Sequence, residues 1–174
     1  ISVRLYMLIA VMSTIMLALG LFGLRGLDQT NAGLKTVYED RTVPLGTLSD
    51  IQALLLENRL ALLSMVANPT PEELQRGVAD VEKNKAEIDK LLVAYGATQH
   101  TPDEGKLSKQ FDEDRAKFVT EGLLPTLAAA KAGNYDEAKR LSFEKVRPLY
   151  VPVRKAIYDL NHIQLTEAKL EFNS

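Results

Sequence analysis

The first 25 residues contain an uncharged run that is long enough to cross a lipid bilayer. From Leu5 to Leu24 the sequence reads LYMLIAVMSTIMLALGLFGL, with no charge between Arg4 and Arg25. A helix needs about twenty apolar residues to span the hydrocarbon core, whereas the apolar region of a signal peptide has roughly 7–15. The candidate cleavage site ending at Gly20 is weak. We therefore predict an uncleaved transmembrane helix over residues 1–25, with Arg4 on the cytoplasmic side and residues 26–174 outside. Because the chain begins with Ile1 rather than Met, we expect a short leader before it.

The composition argues against several classes of function. A net charge of −2 makes nucleic acid an improbable partner, and the absence of Cys excludes disulfides and Cys-based metal sites. His100 and His162 stand alone, without the carboxylate spacing of a metal site. There is no nucleophile motif, phosphate loop or haem attachment sequence. We predict that the chain is not an enzyme and needs no cofactor.

Three helix-start motifs divide residues 26–174 into four helices. Thr70-Pro-Glu-Glu73, Thr101-Pro-Asp-Glu104 and Asn134-Tyr-Asp-Glu137 each place a capping oxygen three residues before a Glu that can reach back. Strand and hairpin signals are missing. The predicted helices cover about 26–68, 71–95, 103–131 and 135–174. We expect Pro125 to kink the third helix, and Pro148 and Pro152 to bend or break the fourth.

The spacing of apolar residues predicts the fold class. On the first helix they alternate by three and four residues, which suits antiparallel helices that pack at about +20°. The prediction is an all-α, up-down-up-down four-helix bundle that continues from the N-terminal transmembrane helix. The predicted seam of the first helix is Leu34, Tyr38, Arg41, Leu45, Leu48, Gln52, Leu55, Arg59, Leu62 and Val66.

Arg59 is the unexpected charge in the leucine-rich stretch LLLENRLALLSMV, residues 54–66. Counting along the helices places it near the membrane-distal end, level with residues 143–147 of the fourth helix. That helix carries three hydrogen-bond donors at i, i+3 and i+7. Guanidinium groups bind carboxylates through two hydrogen bonds, and a Tyr hydroxyl adds a neutral donor. The candidate ligand-binding residues for an anionic organic acid are therefore Asn58, Arg59, Arg147, Tyr150 and Arg154.

Each candidate also has a structural interpretation. Arg59 can pair with an acid of a neighbouring helix or extend outward to water. Arg147 and Arg154 can belong to a solvated face, and Tyr150 can pack in the core with its hydroxyl at the rim. Arg41, closer to the membrane, is expected to pair with Glu39, Asp40 or an acid of a partner subunit.

Two segments resemble a known family. The segment LKTVYEDRTVPLGTL, residues 34–48, resembles the sequence that follows the first membrane span in bacterial methyl-accepting chemotaxis receptors. The segment GNYDEAKRLSFEKVRPLYVPVRKAIYDL, residues 133–160, is similar to that family's Gly-Asp-x-x-Ala turn and Val-x-Pro-Leu helix start. The chain therefore resembles the four-helix-bundle sensor domain of these receptors.

This resemblance implies a homodimer in the bacterial inner membrane, with the sensor domain in the periplasm. It implies a ligand site near the distal end and a fourth helix that transmits a displacement to a second membrane span. The chain ends roughly where that span is due, so we expect a fragment of a longer receptor whose further region reaches cytoplasmic signalling partners. Arg59 stands where the first of three ligand-holding arginines is expected. Ser64 and Asn68 occupy the other two positions, which argues against recognition of the aspartate-receptor type.

The expected function is therefore to bind a small carboxylate, either an organic acid or an amino acid, and to control chemotaxis. Two alternatives remain open. The same sensor domain occurs on histidine kinases and nucleotide cyclases, and the bundle could instead dock a periplasmic binding protein.

Overall fold

Helices connected by short turns form the whole of the part described by the computed structural model, residues 2–98 and 101–172, and no strand occurs in it. His100 lies outside these residues. Three π-helical turns, Tyr38–Thr42, Phe118–Leu123 and Ser142–Val146, join neighbouring helices end to end. The helices are α1 Ser2–Val37, α2 Val43–Ala67, α3 Pro71–Gly96, α4 Pro102–Lys117, α5 Leu124–Lys131, α6 Tyr135–Leu141 and α7 Arg147–Phe172.

The helices form four rods: α1–α2, α3, α4–α5 and α6–α7. From α2 onward they pack side by side as an antiparallel bundle, which confirms the predicted fold class. We call the end with the turns at 68–70 and 132–134 the distal end. The end with Ala97 and Thr101, where α2 continues into α1, is the proximal end. The buried core runs between these ends and includes Ile51, Leu55, Leu62, Val81, Ile88, Phe111, Phe118, Leu123, Val153, Ile157 and Leu160.

The α1 helix extends the first rod beyond the bundle. Its stretch Tyr6–Lys35 is long and apolar enough to cross a membrane, by length and composition, and none of its most apolar window is buried. The exposed side chains include Leu17, Leu21 and Phe22, each more than 60% accessible. Such a surface is costly in water and favourable in lipid.

The buried seam of α2 is shifted by one residue from the predicted one at four positions, where Pro44, Ile51, Asn58 and Met65 are buried instead of Leu45, Gln52, Arg59 and Val66. Gln52 is exposed and Arg59 is only half-buried, whereas Ile51 and Asn58 are buried. Both sets alternate by three and four residues, so spacing alone does not distinguish them. An amide costs less to remove from water than a guanidinium does, which favours Asn58 inside. The observed seam is Pro44, Leu48, Ile51, Leu55, Asn58, Leu62 and Met65.

The three predicted caps all form, but only one is a complete capping box. The side chains of Thr70, Thr101 and Asn134 each accept a hydrogen bond from the backbone N–H three residues on. Only Glu104 reaches back, since its Oε2 accepts from the Thr101 N–H at 3.4 Å. The two other capping Glu side chains bind an Arg three residues further along their own helices.

A proline stands two residues after each π-helical turn: Pro44, Pro125 and Pro148. Proline lacks an N–H, and its ring clashes with the carbonyl four residues back. In each case that carbonyl lies in the π turn, where hydrogen bonds join residues five apart instead of four. Pro148 and Pro152 were expected to bend or break the fourth rod, and no break occurs. The rod is helical from Tyr135 to Phe172, and Pro152 lies inside α7.

Candidate functional site

Arg59 and Tyr150 are in direct contact in the distal half of the bundle. The guanidinium carbon of Arg59, on α2, lies 4.4 Å from the centre of the Tyr150 ring, on α7. This is a cation–π contact, worth roughly 0.5–2 kcal/mol depending on solvent exposure. The Tyr150 ring in turn packs against Phe118 of the second π turn, with 5.8 Å between ring centres and a tilt of 54°. The stack therefore joins three rods and holds the guanidinium at the edge of the bundle.

Among the described residues, no carboxylate pairs with Arg59, Arg147 or Arg154. The four other arginines from residue 41 onward each contact a carboxylate. These pairs are Arg41–Glu104 at 3.5 Å, Arg76–Glu73 at 2.5 Å, Arg140–Glu137 at 2.7 Å, and Arg115–Asp89. Of the described arginines from residue 41 onward, those without an acid are therefore the three that the sequence analysis assigned to a ligand.

Arg147 and Arg154 stand three residues before and four residues after Tyr150 on α7. Both arginines are exposed, whereas Tyr150 is 6% exposed. Tyr150 thus fits its structural interpretation as a packed ring, and it also carries the ligand candidate Arg59 on its face.

The contact between Arg59 and Tyr150 lies one helical turn beyond residues 143–147, the level predicted for Arg59. Three residues of helix span about 4.5 Å, which the long arginine side chain bridges.

Asn58 is buried beside Arg59 in sequence, with 1% of its surface exposed. Its side-chain oxygen has no hydrogen-bond partner among the described residues. Leaving a buried polar group unpaired costs about 1–3 kcal/mol. An amide in this position is therefore a poor choice for stability alone.

Ser64 and Asn68 stand where the resemblance places two further arginines, and both are engaged in local structure. The Ser64 hydroxyl donates to Glu73 of α3, and Asn68 ends α2 with its N–H donating to the Ser64 carbonyl at 2.9 Å. The hydrogen bonds from Ser64 and Arg76 hold the pKa of the Glu73 carboxyl below its usual value. The resemblance places two arginines here, but the structure has Glu73 instead. A negative charge at this point disfavours a second contact with the carboxylate of a ligand.

A groove of about 360 Å³ runs between α2 and α3. None of the five candidate residues lines it. Its floor includes Asn84, which is 6% exposed and donates to Glu57 Oε2 at 3.1 Å. The charged groups on its walls are Glu57, Glu73, Asp80, Arg76 and Lys83. Because three acids and two bases line the groove, it suits a carboxylate ligand less well than the surface around Arg59 does.

Sequence reasoning missed Phe118 as the support of Tyr150. Phe118 is buried, but the sequence does not show that its ring meets the ring beneath Arg59. The proline two residues after each π turn is a signal that could have located those turns. Among the described residues there is no group of three or more metal-ligating side chains.

The chain was compared with curated proteins, with solved structures and with models of protein families. No curated protein matches the chain, and no solved structure matches it. A family model described as a four-helix-bundle sensory module for signal transduction matches residues 1–174. That family is a sensory module and not a catalytic domain. The chain therefore belongs to the four-helix-bundle sensory modules of chemotaxis receptors.

Proposed function

We propose that the chain is the extracytoplasmic sensing region of a bacterial chemoreceptor and that it binds a small organic acid or amino acid through a carboxylate. The site comprises Asn58, Arg59, Arg147, Tyr150 and Arg154. Ligand binding draws α2 and α7 together, and α7 carries the displacement toward the inner membrane. Signalling partners in the cytoplasm read that displacement.

One observation carries the proposal: among the described residues, Arg59, Arg147 and Arg154 lack an acid, while every other arginine from residue 41 onward has one. A guanidinium forms strong, paired hydrogen bonds with a carboxylate. Arg59 also needs little ordering on binding, because Tyr150 already holds it at 4.4 Å. A ligand changes the signalling state only if it binds one state better, and a carboxylate held from both α2 and α7 favours the state in which they are close.

The exposed apolar side chains support a membrane-anchored homodimer. On α2, Leu56, Leu60 and Leu63 are 45%, 56% and 40% exposed. On α7, Val151, Tyr158 and Leu165 are exposed at spacings of seven residues. Two faces with such spacing on adjacent rods suit a second copy that packs along them. The α1 helix supplies the anchor, with the bundle on the periplasmic side.

Calorimetric titration of the full chain in lipid nanodiscs tests the proposal. The probes are acetate, succinate, citrate, benzoate and aspartate, each paired with an analogue in which an amide replaces the carboxylate. We expect heat from at least one acid and none from its amide. The outcome that contradicts the proposal is no binding by any acid, or equal binding of an acid and its amide. A periplasmic protein that binds the chain without any of these acids would support the docking alternative.

A further inference from the structure

At the proximal end, one buried carboxylate contacts all four rods of the bundle. Glu104, in the first turn of α4, is fully buried. Its Oε1 accepts a hydrogen bond from the Tyr95 hydroxyl at 2.9 Å and another from the Gln164 amide. Its Oε2 lies 3.5 Å from an Arg41 guanidinium nitrogen and accepts from the Thr101 N–H.

The partners of Glu104 come from every rod. Arg41 belongs to the first π turn, where α1 becomes α2. Tyr95 lies in the last turn of α3, and Gln164 lies on α7. Burial, together with the negative charge of Glu104, raises the pKa of Tyr95, so its hydroxyl stays a donor at neutral pH. We name Arg41, Tyr95, Glu104 and Gln164 the proximal polar cluster.

Most layers of the core cannot set the axial position of a helix with comparable precision. Apolar contacts are non-directional, so a slide between apolar faces is resisted by the packing of side chains and not by the geometry of a bond. Hydrogen bonds depend steeply on distance and angle, and a buried charge that loses its partners is costly. The α7 residue that contacts Glu104 is Gln164, which is fully buried. A slide of α7 by a fraction of a helical turn would take the Gln164 amide out of reach of Glu104.

We infer that Glu104, through Gln164, is a positioning residue that fixes the axial register of α7 against the other three rods at the proximal end. This rests on the proposed function, in which α7 carries the signal. The cluster then defines the resting position from which a ligand must displace α7. Small helix shifts of about 1–2 Å are typical of such signals, and they are comparable to the range over which a hydrogen bond breaks.

Distance measurement by electron paramagnetic resonance tests this inference without any ligand. The chain has no Cys, so Lys117→Cys on α4 and Thr166→Cys on α7 accept spin labels selectively. Both residues are exposed. Because the rods are antiparallel and Glu104 meets Gln164, the labels are separated by about fifteen residues of helix, roughly 22 Å along the axis. The labelled full chain is diluted with unlabelled chain in lipid nanodiscs, so that only distances within one chain are measured.

Gln164→Leu is the decisive variant, because it removes the contact of α7 and leaves Arg41 with Glu104. We expect it to move the peak of the distance distribution by about 1–2 Å or to double its width. Glu104→Gln should act in the same direction. Two controls should leave the distribution unchanged: Glu113→Gln, the same substitution at an exposed site of α4, and Val81→Ala, a cavity in the core outside the cluster.

An unchanged distribution in Gln164→Leu overturns the inference. An equal change in Val81→Ala also overturns it, because the effect would then follow from general loss of packing. If Glu104→Gln does not fold, Gln164→Leu alone decides. The experiment contains no carboxylate probe, so a failure of carboxylate binding leaves its result untouched. A failure here likewise leaves the calorimetric test of binding intact.

Discussion

Glu104→Gln removes the negative charge from an ion pair that is almost wholly out of water. The side chains of Arg41 and Glu104 are 8% and 0% exposed, and they lie 3.5 Å apart. Gln has nearly the same size and keeps an acceptor for Tyr95, so the change is mainly one of charge. Breaking a buried pair costs about 3–5 kcal/mol, because the remaining charge stays buried without compensation. We take about 3 kcal/mol here, since the Arg41 side chain has further interactions.

For a chain of this length, 1 kcal/mol shifts the unfolding midpoint by about 2–4 °C, so Glu104→Gln should lower it by roughly 6–12 °C. Circular dichroism of the full chain in detergent micelles measures the midpoint. Glu113→Gln, on the solvent side of the same helix, should stay within about 0.5 kcal/mol of the native value. Adding Arg41→Met to Glu104→Gln should recover most of the loss, because no buried charge is left unpaired. The reasoning is refuted if Glu104→Gln behaves like Glu113→Gln, or if Arg41→Met lowers the midpoint further.

Three further changes follow from contacts elsewhere in the bundle. Asn58→Leu should raise the unfolding midpoint, because a buried oxygen without a partner, worth about 1–3 kcal/mol, is removed; a lower midpoint in thermal unfolding would contradict this. Glu73→Gln should weaken the loss of stability in acid. The pKa of Glu73 is lowered on folding, so its contribution is present above its ordinary value of 4.5 and is lost as the pH falls through the folded value. Denaturant unfolding at about pH 6 and about pH 3 measures this, and an unaltered pH dependence would count against the Glu73 contacts. Leu60→Glu should dissociate the proposed homodimer, since the charge would enter an apolar face; sedimentation that shows an intact dimer would place the interface elsewhere.

The sequence was sufficient for the architecture because the fold depends on strong, local signals. The long uncharged run, the three capping motifs and the alternation of apolar residues by three and four each act within one helix. Together they predicted an all-α bundle that follows an apolar helix. Whether Asn58 or Arg59 is buried in the seam does not depend on the local sequence. Both positions satisfy the same spacing, and the packing of α2 against the other rods decides which one is buried.

The candidate site was only partly accessible to sequence reasoning. Counting residues brought Arg59 and Tyr150 to nearly the same level, and they prove to be in contact. Counting did not predict the three π turns, each of which adds width to a helix and changes which side chains meet across the bundle. The sequence also did not predict the contact between Glu104 and Gln164, because it joins side chains 60 residues apart. The cap motif assigned Glu104 a local role, and the buried cluster is additional to it.

We propose that Arg59, which has no acid partner among the described residues, receives one from a ligand. The most direct test compares Arg59→Ala with Arg140→Ala in calorimetric titrations of the full chain, using an acid that the native chain binds. Arg140 is the matched control, because it is an arginine that pairs with Glu137 and Glu144. A hydrogen bond to a charged group is worth about 1.5–3 kcal/mol, so Arg59→Ala should weaken binding by roughly 10- to 100-fold, and Arg140→Ala should leave it unchanged. Equal affinity of the Arg59→Ala chain and the native chain would contradict the account.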